Sequence, residues 1–292
     1  MITTRIYKVA DHYFAFTMEE KILDQLTNYA PFEVSEGDPL YTLTIVDRPL
    51  ASYEQMTHVF TDTSDDDMPR IEVYRDAEKR LFRVSMWKES PVCMEMEAAL
   101  DFSKAELYIH PEQKATRFAI DNAAMLLYAF RTATLHTLEM HASVIMKDGF
   151  GQLFLGHSGT GKSTHSRLWQ EAYEDAVLMN DDNPVVRLLA SGEVRVYGSP
   201  WSGKTPCYKQ LSAPVRGIVK LDQAPQNEIR RMKLPESYAY MLSSSSGLKI
   251  EPEMMDALYD TISQIIQTVP MYHLDCLPDT DAARLCHDTL SK

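Results

Sequence analysis

Glycine is scarce in this chain, with 11 among 292 residues, which excludes a collagen-like repeat and long glycine-rich linkers. Long apolar runs are missing too: nothing approaches the roughly 18 consecutive apolar residues of a membrane-spanning helix. The opening Met1-Ile2-Thr3-Thr4-Arg5 leads into mixed polar sequence, unlike a signal peptide, so the expectation is a soluble protein of the cytoplasm with no membrane partner. Basic charge is in deficit, with 29 Lys and Arg against 42 Asp and Glu and a net charge of −13. Without a local basic run such a surface repels nucleic acid and anionic lipid. Cys93, Cys207, Cys276 and Cys286 form no C-x-x-C pair, so free thiols are expected and a structural zinc site is not. The nine histidines show neither H-E-x-x-H nor H-x-x-E-H spacing.

What is present reads as a folded chain of two parts. At 45% hydrophobic and 24% charged residues the composition is that of globular proteins, and the length calls for a main domain with a smaller companion. Residues 7–110 read as short strands: alternation in 40–46, then 70–74 and 81–86 around a turn near Asp76 to Lys79. The acidic triplet Asp65-Asp66-Asp67 within this part reads as a solvated turn. Between 117 and 140 apolar residues recur at helical spacing, predicting one long linking helix, with the domain boundary just before it near Pro111. The expected division is therefore a β-rich domain over 1–110 and an α/β domain over 111–292, α+β overall.

In the second part, two apolar runs at 142–146 and 152–155 flank Lys147-Asp148-Gly149-Phe150 and predict a hairpin. A helix is expected over 163–173, a strand over 176–179 ending in Asn180-Asp181-Asp182, and a second hairpin over 185–189 and 194–197 around Ser191-Gly192. Further on come a strand at 215–221, a helix at 254–268, a strand at 271–276 and a final helix capped by Asp279. The serine run 243–246 reads as a loop or helix end.

Three of the scarce glycines fall within eight residues, Gly156-His157-Ser158-Gly159-Thr160-Gly161-Lys162-Ser163. This segment matches G-x-x-x-x-G-K-[ST] and lies between a predicted strand and a predicted helix, the context that makes the pattern a phosphate site. Glycines let the backbone curl around an anion, so that successive N–H groups converge on phosphate oxygens at the positive helix end. Lys162 is placed to meet the β and γ phosphates, Ser163 to offer its hydroxyl to Mg²⁺, and Thr164 to complete the nucleotide contacts. Asp181 and Asp182 end an apolar strand 19 and 20 residues after Lys162, room for one helix, a turn and a strand that lies beside the loop. Carboxylates there can hold Mg²⁺ or accept a proton from an attacking hydroxyl.

A histidine opening a hairpin strand, a glycine-containing turn, a second strand, G-x-S-G-x-G-K-S, a short helix and a strand ending in Asp-Asp together resemble the catalytic domain of bacterial HPr kinase/phosphorylase. That P-loop fold is shared with phosphoenolpyruvate carboxykinase. The resemblance covers roughly residues 141–221 and implies a kinase core with a mixed sheet, in which residues 156–163 cradle the phosphates. It further implies Asp181 as general base, Asp182 as an aid to Mg²⁺, His141 near the transferred phosphate, and assembly into a homo-oligomer. A buried histidine with a satisfied ring is the other reading of His141. The Glu-Ile-Arg-Gly signature of that enzyme is absent; Gly198-Ser199-Pro200-Trp201-Ser202-Gly203-Lys204 stands in its place. The likeness is thus closer to the HPr-kinase-related proteins. Lys204 either steadies phosphate charge, or the segment is a turn with Trp201 packed beneath it.

Two functions follow. One is a kinase that uses ATP, another nucleoside triphosphate or pyrophosphate, with Mg²⁺, to phosphorylate a hydroxyl of a protein or small molecule. The other is a catalytically silent nucleotide-binding module in which phosphate orders the segment after Tyr197. Transfer to water ranks lower, since neither a water-orienting glutamine nor an arginine finger stands out.

Overall fold

Strands rich in Thr, Tyr, Phe and Val make up most of the first of two compact units, Met1–Arg131, in a computed structural model that describes residues 1–50, 52–62, 69–203, 205–248 and 251–292. In chain order these are β1 (Ile2–Val9), β2 (His12–Glu19), a one-turn helix α1 (Glu20–Leu23), β3 (Glu33–Val34), β4 (Tyr41–Val46), β5 (Thr57–Asp62), β6 (Arg70–Arg75), β7 (Lys79–Ser85), β8 (Val92–Ala99) and β9 (Lys104–Ile109). They form one mixed sheet in the order β3-β1-β2-β4-β9-β8-β7-β6-β5. The β6–β7 turn is held by Asp76 Oδ1, which accepts from the N–H groups of Glu78 and Lys79 at 2.8 and 2.9 Å. The triplet Asp65-Asp66-Asp67 lies outside the described residues.

Helix α2 (Thr116–Thr132) packs on this sheet. Tyr41 Oη donates to Ala124 O at 3.1 Å, Tyr128 Oη donates to Val9 O at 3.0 Å, and Asp121 Oδ1 accepts from Asn28 and Tyr29. Phe130 stacks on Phe82 with ring centroids 5.7 Å apart. These contacts place α2 with the first unit, and the second runs Thr132–Lys292, whereas a boundary near Pro111 assigns the helix to the second. The helix is also shorter than the expected 117–140. After Thr132 a 3₁₀ turn, Ala133–Leu135, leads to His136 in the left-handed region at φ 51°. The β-branched Thr132, Thr134 and Thr137 weaken helix propagation, and residues 137–139 gain ladder hydrogen bonds as a strand instead.

The second unit consists of β10 (Thr137–Glu139), β11 (Ala142–Lys147), β12 (Phe150–Leu155), α3 (Lys162–Ala172), β13 (Val177–Asp182), β14 (Val185–Leu188), β15 (Val194–Tyr197), β16 (Ser212–Gln223), β17 (Glu228–Arg231), α4 (Leu234–Ser244), α5 (Pro252–Thr268), β18 (Met271–Cys276) and α6 (Thr280–Leu290). Its sheet runs β10-β14-β15-β16-β12-β11-β13, and β18 with β17 joins at β16. β11 and β12 pair antiparallel as a hairpin, turning through Asp148 and Gly149, both at positive φ. β16 pairs in parallel with β12 and with β18. The chain is therefore a mixed α/β protein with two mixed sheets.

Both faces of this second sheet are covered, which is why apolar residues stand next to one another in β12 (Leu153-Phe154-Leu155) and β16 (Ile218-Val219) without alternation. Phe154, Val219 and Leu221 pack with Leu168 and Trp169 of α3 and with Ala283, Cys286 and Leu290 of α6. Leu153, Leu155 and Ile218 pack with Met241 of α4 and with Leu258, Ile262 and Ile265 of α5. Asp279 Oδ1 caps α6 by accepting from the Ala282 N–H at 2.9 Å. All four cysteines are free. No helix among the described residues is long and apolar enough to cross a membrane.

Candidate functional site

The glycine loop leaves the buried end of β12 and enters α3. Gly159 and Gly161 hold φ of 79° and 106°, a region that costs a residue with a Cβ about 1–2 kcal/mol. Beyond them the first turn of α3 leaves N–H groups without intrahelical partners, at the positive end of the helix. Thr160 Oγ1 donates to His157 O at 2.6 Å and braces the loop from within. Gln223, at the end of β16, donates its amide to the carbonyls of Gly159 and Thr160, each at 3.3 Å.

Lys162 is buried and curls over its own loop, donating to Gly156 O at 2.9 Å and His157 O at 3.4 Å. Its third contact is His141 Nε2, at 2.7 Å. An ammonium only donates, so His141 accepts through Nε2, carries its proton on Nδ1 and is neutral. Burial and then the Lys162 charge hold the imidazole below its ordinary value, against the pull of Asp182. Burial likewise lowers Lys162, with Asp182 and Asp181 opposing. The His141 ring is half-exposed and hydrogen-bonded to the loop lysine.

Asp181 and Asp182 are the last residues of β13, which pairs with β11. Ser163 Oγ donates to Asp181 Oδ1 at 3.0 Å. The loop hydroxyl therefore meets the first of the two carboxylates. Asp182 Oδ1 lies 3.7 Å from His141 Nε2, beyond hydrogen-bond range. Its backbone sits at φ 138°, where residues other than glycine are rare. The strain is held in place by neighbours. Gly203 N and Ser202 Oγ donate to Asp181 O at 2.6 and 3.2 Å, and Asn183 Nδ2 donates to Asp182 Oδ2 at 3.2 Å.

Residues 198–203 are thereby locked to the end of β13. Asn180 Nδ2 donates to Ser199 Oγ and Trp201 O, at 3.1 and 3.0 Å, and Trp201 is buried. Lys204 lies outside the described residues.

Glu139 was not singled out by sequence reasoning. It ends β10 two residues before His141, it is buried, and its Oε2 has no hydrogen-bond partner among the described residues. Burial first, then the Asp182 charge, pushes its carboxyl well above the usual carboxylate range. A glutamate in the short apolar run before His141 was the signal available. Asn180, directly after the apolar run Val177-Leu178-Met179, carried a similar signal.

The side chains offer hard oxygen donors, Ser163 Oγ with the Asp181 and Asp182 carboxylates, beside a cationic lysine and a helix start. That set fits Mg²⁺, which takes one or two carboxylates together with substrate phosphate oxygens.

No protein-family model and no curated protein matches this sequence. Among solved structures the chain is similar to the HPr(Ser) kinase/phosphatase from Coxiella burnetii, at 14% identity and a TM-score of 0.31. The match spans 53% of this chain and 99% of that one. It is a distant structural resemblance.

Proposed function

We propose that this protein is a Mg²⁺-dependent phosphotransferase that moves the terminal phosphoryl group of ATP, or of a related polyphosphate, to a hydroxyl of a protein or small-molecule acceptor. The observation that carries the reading is the convergence on one loop of Lys162, packed against His141 Nε2 at 2.7 Å, and Ser163, bonded to Asp181 at 3.0 Å. Gly156 to Ser163 and Thr164 bind the phosphates, and Lys162 balances charge on the group in flight. Ser163 and Asp182 are the residues that would hold Mg²⁺, which when bound neutralises phosphate charge. Asp181 takes the acceptor proton as the new O–P bond forms, the bond to the leaving phosphate breaks, and the donor departs one phosphate shorter. Neutral His141 positions the Lys162 ammonium. Lys204 is a further candidate for steadying phosphate charge.

A silent sensing module requires nucleotide to order the segment after Tyr197. Residues 198–203 are already held by Asn180 and Asp181, which favours turnover. The test compares three variants for Mg·ATP binding and for phosphoryl transfer. Lys162→Ala is expected to lose binding. Asp181→Asn is expected to bind normally and to lose about 10²–10⁴-fold in rate, whereas Asp182→Asn is expected to raise the Mg²⁺ requirement. The reverse pattern in the two aspartates exchanges their roles. Unimpaired turnover in both rejects the carboxylate chemistry.

A further inference from the structure

The serine run 243–246 closes α4 and is a sequence feature that the chemistry above leaves unused. Its backbone pairs antiparallel with residues 139–141, the segment that joins β10 to β11. Met140 bridges Ser245, His141 N donates to Ser244 O at 2.7 Å, and Ser246 N donates to Glu139 O at 2.8 Å. Along the other edge of the same segment β14 pairs with β10 and β13 with β11. The serines therefore take the edge along which β12 pairs with β11 before it gives way to the phosphate loop.

Alternation along this pair divides the serines by face. Met140 and Ser245 are both buried, and Met140 belongs to the core under α4 and α5. Ser244, across from His141, falls on the opposite face and is half-buried. Residues opposite one another in an antiparallel pair hold their Cβ atoms about 4.5–5.5 Å apart, so the Ser244 hydroxyl stands beside the imidazole that touches Lys162 Nζ. The hydroxyl bonds make the same division. Ser243 Oγ donates to Tyr240 O at 3.1 Å and Ser245 Oγ to Met241 O at 2.7 Å, an ordinary role for serine within a helix end. Among the described residues Ser244 Oγ makes no such bond, which leaves it available as a nucleophile.

We infer that Ser244 is a phosphoryl acceptor, modified in cis at the protein's own phosphate loop. In this step Ser244 Oγ attacks the terminal phosphorus of Mg·ATP. The Oγ–P bond forms, the bond from that phosphorus to the bridging oxygen breaks, ADP departs, and the hydroxyl proton passes to Asp181. Lys162 Nζ is shared between His141 and the loop carbonyls, so a γ-phosphate bound by it arrives at the residue that Ser244 flanks. Backbone pairing already holds the serine there, and an acceptor held in place avoids the entropy cost of a bimolecular encounter. The inference rests on the phosphotransferase reading above and names an acceptor for it.

Incubation of the purified full chain with γ-labelled Mg·ATP and no added acceptor tests it. Label is expected in the chain itself, mapped to Ser244 by peptide mass spectrometry, with a rate constant that does not change with protein concentration. Ser244→Ala is expected to fall to the Asp181→Asn background, whereas Ser243→Ala labels as wild type does. Ser244→Thr keeps a hydroxyl and is expected to yield phosphothreonine at that position; it carries the test if the alanine variant does not fold. Label at other residues only, undiminished label in folded Ser244→Ala, or a rate constant that rises with protein concentration overturns the inference. An unlabelled wild-type chain overturns it too, and a parallel incubation with cell extract then separates the two readings. Label in an acceptor from the extract leaves the phosphotransferase reading standing, and label in neither removes both.

Discussion

His165 sits in α3 one turn below the loop, buried against Phe154, with its Nε2 accepting from Trp169 Nε1 at 3.0 Å. Burial pulls it from 6.5 down to about 4. In the unfolded chain the ring takes up a proton as pH falls through 6.5, while the folded chain refuses it until about 4. The unfolded state therefore binds more protons across this window, and stability falls with falling pH. The loss from this one group reaches about 3 kcal/mol once pH is below the folded value. His141, also lowered by burial and by Lys162, adds to the loss with the same sign. Thermal unfolding followed from about pH 7 to about pH 4 is predicted to show a falling midpoint, with a shallower fall in His165→Leu. An equal slope in that variant would remove His165 from the account.

At the scale of elements, the site depends on how tightly residues 198–203 hold the end of β13. Gly198 lies where a Cβ would come within 2.0 Å of the Lys209 carbonyl oxygen, and its own N–H donates to Leu211 O at 2.9 Å. Backbone occupies the space, so Gly198→Ala must displace one strand. A loss of about 1–3 kcal/mol is expected in urea unfolding, together with a slower reaction, because the displaced segment is the one that fixes Asp181 and the strained Asp182. An alanine variant as stable as wild type would show that the segment tolerates movement. The same elements show what the sequence made legible. The loop, the antiparallel hairpin before it and the strand ending in Asp181-Asp182 were readable because glycine, apolar alternation and turn chemistry all act locally there. The end of α2 was not, since apolar spacing continued through Leu138 while β10 was claimed by pairing with β14, a contact between residues distant in sequence. β17 and α4 went unread for a related reason: Glu228–Arg231 is polar and joins the sheet through β18, and Leu234 to Leu242 carries only part of its apolar pattern on one face. The meeting of Ser163 with Asp181 depends on how α3 packs beside β13, and the placing of Glu139 by Asp182 on the pairing of β10 with β14, neither of which composition encodes.

For the molecule as a whole, the net charge of −13 opposes long-range attraction of a polyphosphate, so its binding rests on local groups. A ligand seated on the loop between β12 and α3 touches elements that share the core of the second unit. Saturating Mg·ATP, at about 100 times its dissociation constant, is predicted to stabilise the chain by about 2.7 kcal/mol, read as a raised unfolding midpoint that Lys162→Ala abolishes. The measurement closest to the central claim is transfer of labelled γ-phosphate from Mg·ATP by the full chain, added to a cell extract that supplies protein and small-molecule hydroxyls. The account predicts label in a discrete acceptor with wild type and only background with Asp181→Asn; wild type that binds Mg·ATP yet labels nothing above the Asp181→Asn background would contradict it.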